Sequence, residues 1–564
     1  MNIEEKLKNT LGNFVESGES FSLSAPENIT HGDYATNIAF ILSKRDACSP
    51  KESAGKLLPI LKEQLTDVIE DIEVAGPGFI NFKLKADVVR AEINRINNLT
   101  HFETKFTTKK ILVEHSSPNL FKPFHIGHLM NNIVGEAIVR MMHATNAHVN
   151  TISFPSDISL GIAKAIYIIK TDGGISYCKE KGDSIITYLG ESYVRGVAHF
   201  DEHPSAQEEI KAIAQKLYSA TPSNELDIYE YTKKINIEYF TKTVEKLGTH
   251  FDELMFESNA GTVGETVVRA HTPAVFTESE GAIVYIPEEE RKDINTAVFI
   301  NSQGHPTYEA KDVGLIEMKF TKYNSDYSFF VTDTEQSSHF RIVLAAVEKI
   351  HKDWAEKSVH ITHGRMTFKG AKMSSRLGGV PLLTNIVSSV MDEVKEREGD
   401  KTNHLSNEEK NKLHHDIALA SLRFAILRSK LGSNVNFDPD TSLSFEGDSG
   451  PYLQYTYART QSLIAKGKEN NFEPAFGDEQ ISNVEKKLLH FEAVAKRAIE
   501  EVAPQYLVTY LTELAQEFNS YYGANQIVKE GEASSSHRLA ITHAVGAVLK
   551  RGLSMLAIVP VERM

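Results

Sequence analysis

The clearest pattern of hydrophobic and polar positions lies between residues 111 and 142. Residues 111–114 form a short apolar run that predicts a buried strand, and residues 116–123 carry two prolines, which predicts a loop. Apolar residues then recur three and four positions apart, at Ile126, Leu129, Ile133, Ala137, Ile138 and Met141. This spacing predicts a helix that starts near His125 and buries one face. Strand, loop and helix N-terminus thus follow one another.

Residues 1–105 have the pattern of a separate α+β unit. The string SPKE at 49–52 combines a capping serine with an early proline, and it predicts a helix that runs to about Gln64. Residues 69–74 and 79–84 predict two strands joined by a turn at 75–78. In the second strand Ile80, Phe82 and Leu84 share one face, and Phe79 and Asn81 lie on the other. On pattern alone that other face is a solvated one, although an aromatic ring beside an amide also suits an unstacked RNA base.

Residues 106–400 alternate strands with helices, and the remainder is helical. Further strands are predicted at 149–154, 253–257, 282–286 and 329–332. Helices are predicted across 210–217 and 229–247, where an insertion interrupts the alternation. Beyond about residue 405, helical spacing appears within 417–427, 484–495 and 539–549, with a loop at 530–536. The fold class expected is multidomain α/β, with a parallel sheet at its centre.

Composition and charge set bounds on the function. The 564 residues suffice for three or four domains, and a hydrophobic content of 41% is that of an ordinary globular protein. Two distant cysteines argue against a disulfide framework and a cysteine zinc site. No apolar run approaches ~20 residues and no signal peptide is visible, so a cytoplasmic location without a membrane span is expected. The net charge of −15 is only weak evidence against a nucleic-acid partner.

The first turn of the predicted helix after residue 124 carries the candidate chemistry. His125 and His128 are three positions apart, with Gly127 between them. Helix N-termini attract anions, and a glycine lets a ligand approach the backbone, so the pattern fits a phosphate site. Spacing alone leaves surface or core histidines as the commoner explanation. Zinc binding is disfavoured, because the usual helical zinc pair is four apart with a glutamate.

The longer string VEHSSPNLFKPFHIGHL, from Val113, closely resembles the first signature of class I aminoacyl-tRNA synthetases, in the form found in arginyl-tRNA synthetases. KMSSR at 372–376, between glycine-rich flanks, resembles the second signature. HGDYATNIAF and VAGPGFINF are similar to the N-terminal domain of that family, and SLSFEGDSGPYLQYTYART to the start of its helical domain. The resemblance covers essentially the whole chain.

This resemblance implies three domains and a set of site residues. Residues 1–105 would contact the tRNA elbow, 106–400 would form a Rossmann-like catalytic domain of the HIGH/KMSK type, and 401–564 would be an all-α anticodon-binding domain. The implied catalytic residues are His125, His128, Lys122 and Lys372. ATP would also meet Gly127 and Ser375. Arginine would meet Glu114, Ser116, Asn119, Tyr308, Asp312 and Gln336, with Glu114 near its ammonium group and Asp312 near its guanidinium. tRNA would meet Phe79 and Asn81.

Two stretches depart from the family pattern. Ser375 stands where the general pattern has a second lysine, so Lys372 would carry most of that loop's charge, helped by Arg376 or Lys122. The family's Gly-Asp-Trp-Gly is replaced by PSDISLG at 155–161, which keeps Asp157 but has no tryptophan. We therefore assign Asp157 no role from the sequence.

The function implied is arginine–tRNA ligation. L-Arginine would react with ATP, bound with Mg²⁺, to give arginyl-adenylate, and the 2′-OH of the terminal adenosine of tRNA(Arg) would accept the arginyl group. A monomer without a structural metal is expected. Two alternatives stay open: a small-molecule nucleotidyltransferase, which shares the His-x-Gly-His turn, and a catalytically silent paralogue that binds tRNA.

Overall fold

The N-terminal region packs helices against a four-stranded antiparallel sheet. The structure is a computed structural model, which describes residues 2–26, 28–122, 124–369, 382–398 and 405–564. Its first elements are α1 (Ile3–Gly12), β1 (Leu23–Ser24), β2 (Tyr34–Thr36), α2 (Ile38–Arg45), α3 (Pro50–Gln64), β3 (Ile69–Ala75), β4 (Phe79–Leu84) and α4 (Ala86–Asn97). The sheet order is β1-β2-β4-β3. As predicted, Ser49 caps α3, since its hydroxyl accepts a hydrogen bond from the backbone N–H of Glu52 at 3.2 Å.

One face of β4 differs from the prediction. Phe79 is 41% exposed, as expected, and its ring lies 5.0 Å from that of Phe40. Asn81, however, is only 4% exposed, so the prediction that it shares an exposed face is wrong. β4 is an inner strand, and a Cβ built on Gly32 would lie 3.6 Å from the Cβ of Asn81. The turn before β2 therefore covers Asn81, which strand alternation alone cannot reveal.

The central region is built on a parallel sheet, as predicted. Its elements are β5 (Lys110–Glu114), α5 (Ile126–His143), β6 (His148–Ser153), α6 (Leu160–Thr171), α7 (Gly174–Glu180), α8 (Ile185–Glu202), α9 (Pro204–Tyr218), α10 (Asn224–Lys246), β7 (Glu253–Leu254), α11 (Glu257–Ala270), β8 (Thr277–Ser279), β9 (Ala282–Tyr285), β10 (Ala297–Ile300), α12 (Tyr308–Tyr323), β11 (Tyr327–Asp333), α13 (Ser337–Ile350), α14 (Lys352–Lys357), β12 (Ser358–His363), β13 (Met366–Phe368) and α15 (Leu383–Glu398). The sheet order is β12-β11-β5-β6-β7, with every neighbouring pair parallel.

Two strand predictions need correction here. The strand expected at 253–257 is only Glu253–Leu254, because Glu257 begins α11. The strand expected at 282–286 is β9, and it pairs antiparallel with β8 and β10 in a separate sheet. Periodicity identifies a strand but not its partner. The predicted insertion is the helical segment α6–α10, which has a hydrophobic cluster of its own, including Ile166, Leu189, Ile210 and Ile228.

The C-terminal region is helical apart from one short strand. It consists of α16 (Asn407–Leu427), β14 (Val435–Phe437), α17 (Pro439–Ser442), α18 (Gly450–Glu469), α19 (Asn483–Leu488), α20 (Phe491–Glu500), α21 (Pro504–Ala524) and α22 (Ser534–Met555). The helical pattern at 484–495 is divided between α19 and α20, and the loop predicted to end at residue 536 ends where α22 begins. None of the helices described is long and apolar enough to cross a bilayer.

Two arginines of α4 attach the N-terminal region to the C-terminal helices. Arg90 is 7% exposed, and its Nε donates to Oε1 of Glu485, itself 0% exposed, at 3.1 Å. The terminal nitrogens of Arg90 donate to two backbone carbonyls in the segment that precedes α19. Arg95 forms a second ion pair, with Glu492 of α20. A buried guanidinium with three acceptors from another region fixes how the two regions meet.

Arg90→Met should destabilise the protein by about 3–5 kcal/mol, because it leaves the buried Glu485 carboxylate without its cation. Urea denaturation of the full chain measures the change. The matched control is Lys56→Met in the same region, since Lys56 and Glu52 are about 60% exposed and lie 3.5 Å apart. Its cost should stay below about 1 kcal/mol. Equal effects of the two substitutions would contradict a special role for Arg90.

Candidate active site at the carboxyl edge of the parallel sheet

The two histidines of the signature cap the helix that they begin. His125 is the N-cap of α5, and its Nδ1 accepts a hydrogen bond from the backbone N–H of Gly127 at 3.1 Å. In return, the backbone N–H of His125 donates to Nδ1 of His128 at 3.1 Å. Because both Nδ1 atoms act as acceptors, each neutral ring carries its proton on Nε2. The turn at 125–128, named the HIGH turn below, therefore presents two imidazole N–H donors.

Both rings of the HIGH turn are held neutral. Burial, reinforced by His125, His363 and Lys122, lowers the pKa of His128 to about 3. Burial and the charge of Lys122 also lower the pKa of His125. The phosphate site predicted from the sequence is therefore provided with neutral hydrogen-bond donors rather than with charged histidines. Positive charge must come from other side chains.

The structure shows why residue 127 has no side chain. A Cβ at this position would lie 3.0 Å from Cε1 of His125 and 3.1 Å from its Nδ1. Distances this short are tighter than ordinary van der Waals contact, so the absence of a side chain makes room for the His125 ring. The glycine thus allows the histidine itself to cap the helix.

The first described residues after the predicted second signature contact the HIGH turn. Lys372 and Ser375 lie outside the described residues, as do the rest of 370–381. Leu382, the first described residue after this gap, pairs with His125 in an antiparallel bridge. The backbone N–H of Leu383 donates to the carbonyl of Phe124 at 2.8 Å. The chain that follows KMSSR is therefore attached directly to the turn that carries the histidines.

A second cluster contains two carboxylates and one histidine. His339 of α13 is hydrogen-bonded through Nε2 to Asp312 of α12, and its Nδ1 lies 3.6 Å from Glu309. Burial alone would lower the pKa of His339, but the two carboxylates outweigh it and raise the pKa to about 9. An imidazolium between two carboxylates leaves one net negative charge, which suits a cation. Tyr308, four positions before Asp312, is 61% exposed beside it.

The other residues predicted to bind arginine differ in accessibility. Glu114 ends β5, is 8% exposed and already accepts a hydrogen bond at 2.7 Å from the buried Lys319. Ser116 has φ +55° and is 3% exposed, and its hydroxyl accepts a hydrogen bond from Asn132 at 3.1 Å, so its contacts shape the loop. Asn119 and Gln336, in contrast, are exposed in the segments that follow β5 and β11.

The order of the sheet brings the two clusters to one edge. β5 lies between β11 and β6, while the chain runs from β5 through α5 to β6, so the direction of the crossovers changes at β5. Ligands of open parallel sheets bind at such a point, outside the carboxyl ends of the strands. The HIGH turn follows β5, and His339 lies in the helix that follows β11. The N–H donors of the HIGH turn and the carboxylate cluster around His339 thus share this edge.

Asp157, to which no role was assigned from the sequence, lies at the centre of a buried network. It is 0% exposed and accepts hydrogen bonds from the Tyr229 hydroxyl (3.1 Å), the Lys233 ammonium (2.7 Å) and both the backbone N–H (2.9 Å) and the hydroxyl (2.8 Å) of Ser258. These contacts join the loop after β6 to α10 and α11. The partners lie 72 to 101 positions away, so the sequence offered no signal beyond one retained carboxylate.

A further feature missed by the sequence is a cavity of about 490 Å³ in the C-terminal region. Its aromatic and cationic lining consists of Arg397, His414, Phe445, Tyr452, Tyr455 and Arg459. The guanidinium of Arg459 lies between the rings of Tyr455 and Tyr522, 4.8 and 4.7 Å from their centroids. Such a lining can hold a flat group such as a nucleobase.

Family models match three consecutive parts of the chain. The model described as tRNA synthetases class I (R), catalytic domain, matches residues 94–438. The model of the arginyl tRNA synthetase N terminal domain matches residues 1–84, and that of the DALR anticodon binding domain matches residues 453–564. Of the thirteen residues that line the 490 Å³ cavity, five fall in the part matched by the catalytic-domain model, four in the part matched by the anticodon-binding model, and four between the two.

Curated relatives and solved structures agree with these matches. An arginine–tRNA ligase of Phocaeicola vulgatus is 26% identical over 616 aligned residues and covers 100% of both chains. One from Lactobacillus johnsonii is 28% identical and covers 96% of this chain and 95% of its own. The fold is that of the arginyl-tRNA synthetase of Thermus thermophilus, with a TM-score of 0.80 and 23% identity over 100% of both chains. Because the catalytic-domain model alone spans more than half of the sequence, the chain belongs to the arginyl-tRNA synthetase family of class I synthetases.

Proposed function

We propose that this chain activates L-arginine with ATP and transfers the arginyl group to tRNA(Arg), as an arginine–tRNA ligase. One observation carries the proposal. A turn with two neutral N–H donors and a carboxylate cluster that keeps a net negative charge follow neighbouring strands at one edge of the sheet. The donors suit the phosphates of ATP, and the carboxylates suit a guanidinium, which stays charged inside proteins.

In the first step, a carboxylate oxygen of arginine bonds to the α-phosphate of ATP as the bond to pyrophosphate breaks. Negative charge builds on the phosphate oxygens, and fixed donors that point at those oxygens lower the barrier. Nε2–H of His125 and of His128 would supply two such donors. Lys122 and Lys372 would add the positive charge that neutral histidines lack. In the second step, the 2′-OH of the terminal adenosine attacks the arginyl carbonyl and releases AMP.

Each of the three regions would have its own role. Residues 1–105 would contact the tRNA elbow, residues 106–400 would catalyse, and residues 401–564 would contact the anticodon. ATP would enter as its Mg²⁺ complex, with phosphate oxygens and water as most of the metal's ligands. We also expect a cytoplasmic location and a monomer. Sedimentation of the purified 62.9 kDa chain would test the monomeric state.

Arginine-dependent exchange of labelled pyrophosphate into ATP, measured with and without tRNA(Arg), tests this function. An arginine–tRNA ligase shows the exchange and charges tRNA. A silent paralogue would bind tRNA without exchange. A small-molecule nucleotidyltransferase would have no use for the two flanking regions, which the N-terminal and anticodon-binding family models match.

Asp312→Asn should weaken arginine binding by at least ~10²-fold, because breaking a buried charge pair costs roughly 3–5 kcal/mol. Asparagine keeps the shape and can still accept the bond from His339. Arginine titration of the variant measures the loss, and ATP affinity should not change. The matched control is Glu317→Gln on the same helix, whose carboxylate faces His351 at 3.7 Å. Near-normal affinity of Asp312→Asn would reopen the assignment of the guanidinium site.

Lys372→Ala should slow adenylate formation by ~10²-fold or more, as the loss of one charge-stabilising donor does elsewhere. Single-turnover measurements isolate this step, and arginine binding should change little. The control is Lys369→Ala, three positions earlier, because Lys369 is already paired with Asp438 at 2.8 Å. An unchanged rate for Lys372→Ala would shift the role to Lys122 or Arg376.

Phe79→Ala should raise the KM for tRNA while sparing ATP and arginine, because base stacking on an aromatic ring contributes about 1–3 kcal/mol. Aminoacylation kinetics measure the three constants separately. Ile60→Ala is the control, since Ile60 is an equally exposed hydrophobic residue of the same region, at 43%. The buried Asn81 would act by supporting β4 rather than by touching RNA. Equal changes in all three constants would contradict a contact at Phe79.

A further inference from the structure

Lys122 is carried by a loop that is anchored in the helical insertion. The two residues before it, Leu120 and Phe121, are 2% and 1% exposed and belong to the hydrophobic cluster of α6–α10. Phe121 has φ +66°, a strained value for a bulky residue, and its backbone N–H donates to Oδ1 of Asn236 at 3.2 Å. The insertion therefore fixes the direction in which the chain leaves Phe121 and presents Lys122.

The side chain of Lys122 rests on an aromatic ring of the same insertion. Its Nζ lies 4.9 Å from the ring centroid of Tyr193 in α8, within the range of a cation–π contact. Among the described residues, this ammonium group forms no ion pair with a carboxylate. Tyr193 in turn packs against Gly161 in the first turn of α6, where a Cβ would come within 2.9 Å of two ring carbons. The Tyr193 ring is thus packed against the start of α6 and also contacts the ammonium group of Lys122.

The same ammonium group is electrostatically close to the HIGH turn. Its positive charge adds to burial in lowering the pKa of His125, and it contributes to the low pKa of His128. Lys122 thus contacts the ring of Tyr193, and it lies three positions before His125 in the chain, where its charge acts on both histidines. Other aromatic rings of the described insertion also contact lysines, but Lys122 is the lysine whose charge lowers the pKa values of His125 and His128.

We propose that Tyr193 is a positioning residue for adenylate formation: its ring holds the ammonium group of Lys122 beside the HIGH turn, where charge builds on the phosphates. This inference rests on the proposed function, because it gives Lys122 the task assigned above. A lysine side chain has four rotatable bonds, and an exposed one is spread over many rotamers. Ordering such a side chain when ATP binds costs conformational entropy. A ring that already keeps the ammonium group near the phosphate site reduces this cost, and unlike a carboxylate it does not neutralise the charge.

The alternative is that Tyr193 only fills space between α6 and α8. A purely structural residue would affect stability and all substrates alike. A positioning residue should affect the rate of adenylate formation, leave the KM for arginine unchanged, and lose its effect once Lys122 is gone. These expectations separate the two roles.

The experiment compares single-turnover adenylate formation by Tyr193→Leu, Tyr193→Phe, Lys122→Ala and the double variant Tyr193→Leu/Lys122→Ala in the full chain. Tyr193→Leu should slow the step roughly 2- to 30-fold, the range expected for loss of one cation–π contact. Tyr193→Phe keeps the aromatic ring and should form the adenylate at the wild-type rate. In the double variant the two losses should combine to less than their product, because both act through one ammonium group.

Two further variants guard against a folding artefact. Gly161→Ala is compatible with a helix and keeps residue 193 a tyrosine, but its methyl group must displace the Tyr193 ring. It should therefore slow adenylate formation as Tyr193→Leu does. Phe200→Leu is the matched control. Phe200 lies on the same helix and carries Lys164 over its ring at 4.0 Å, but that lysine is not part of the site. Its rate should equal that of the wild type.

Several results would overturn the inference. They are a normal rate for Tyr193→Leu, a normal rate for Lys122→Ala, or strictly multiplicative losses in the double variant. A second measurement does not depend on activity, and it decides the matter even if the chain fails to exchange pyrophosphate. In an NMR titration of labelled histidine, Lys122→Ala and Tyr193→Leu should both raise the pKa of His125, whose other titratable neighbour is His128, and Phe200→Leu should not. A pKa that rises only in Lys122→Ala would contradict positioning by Tyr193, whatever the enzyme does.

Discussion

The burial of helix α5 is the constraint on which the rest of the structure depends. Twelve of its eighteen residues are buried, including the polar Asn132 and Glu136. The helix contacts the parallel sheet on one side and the C-terminal helices α16, α20 and α22 on the other. Surrounded in this way, it cannot shift without disturbing two regions. Its first turn, with both signature histidines, is therefore fixed in position by the packing of the whole protein.

Capping explains how a fixed helix becomes a chemical site. A helix N-terminus leaves backbone N–H groups without partners, and here two imidazole Nδ1 atoms take part in a reciprocal capping arrangement. The same hydrogen bonds place the protons of the rings on Nε2. Burial keeps the rings uncharged, so they remain directed donors at neutral pH. The local requirement of the backbone and the requirement of phosphate chemistry are met by the same two side chains.

Buried ion pairs connect elements of the central region. Lys319 meets Glu114, Lys311 meets Glu257 and Lys233 meets Asp157, and each pair joins different elements. Such pairs are weak evidence for stability, because desolvation offsets much of the attraction, but each one penalises a wrong arrangement. Asp312 differs from these carboxylates, because its partner His339 is shared with Glu309 and the cluster keeps an uncompensated negative charge. That difference singles it out as a place for a cationic substrate.

The sequence by itself determined the elements and the local chemistry. Apolar spacing located β5, the start of α5, and β4 nearly to the residue, because periods of 2 and 3.6 are imposed by the backbone. It also placed the histidines at a helix start. It could not show that Asn81 is covered, that β9 belongs to a second sheet, or that Asp157 is a buried acceptor, since each depends on residues far along the chain. The neutrality of His128, the charge of His339 and the contact between Lys122 and Tyr193 were likewise decided by the tertiary structure. The reason is physical: burial and electrostatic environment are properties of what surrounds a residue, and a linear pattern records only its neighbours in sequence.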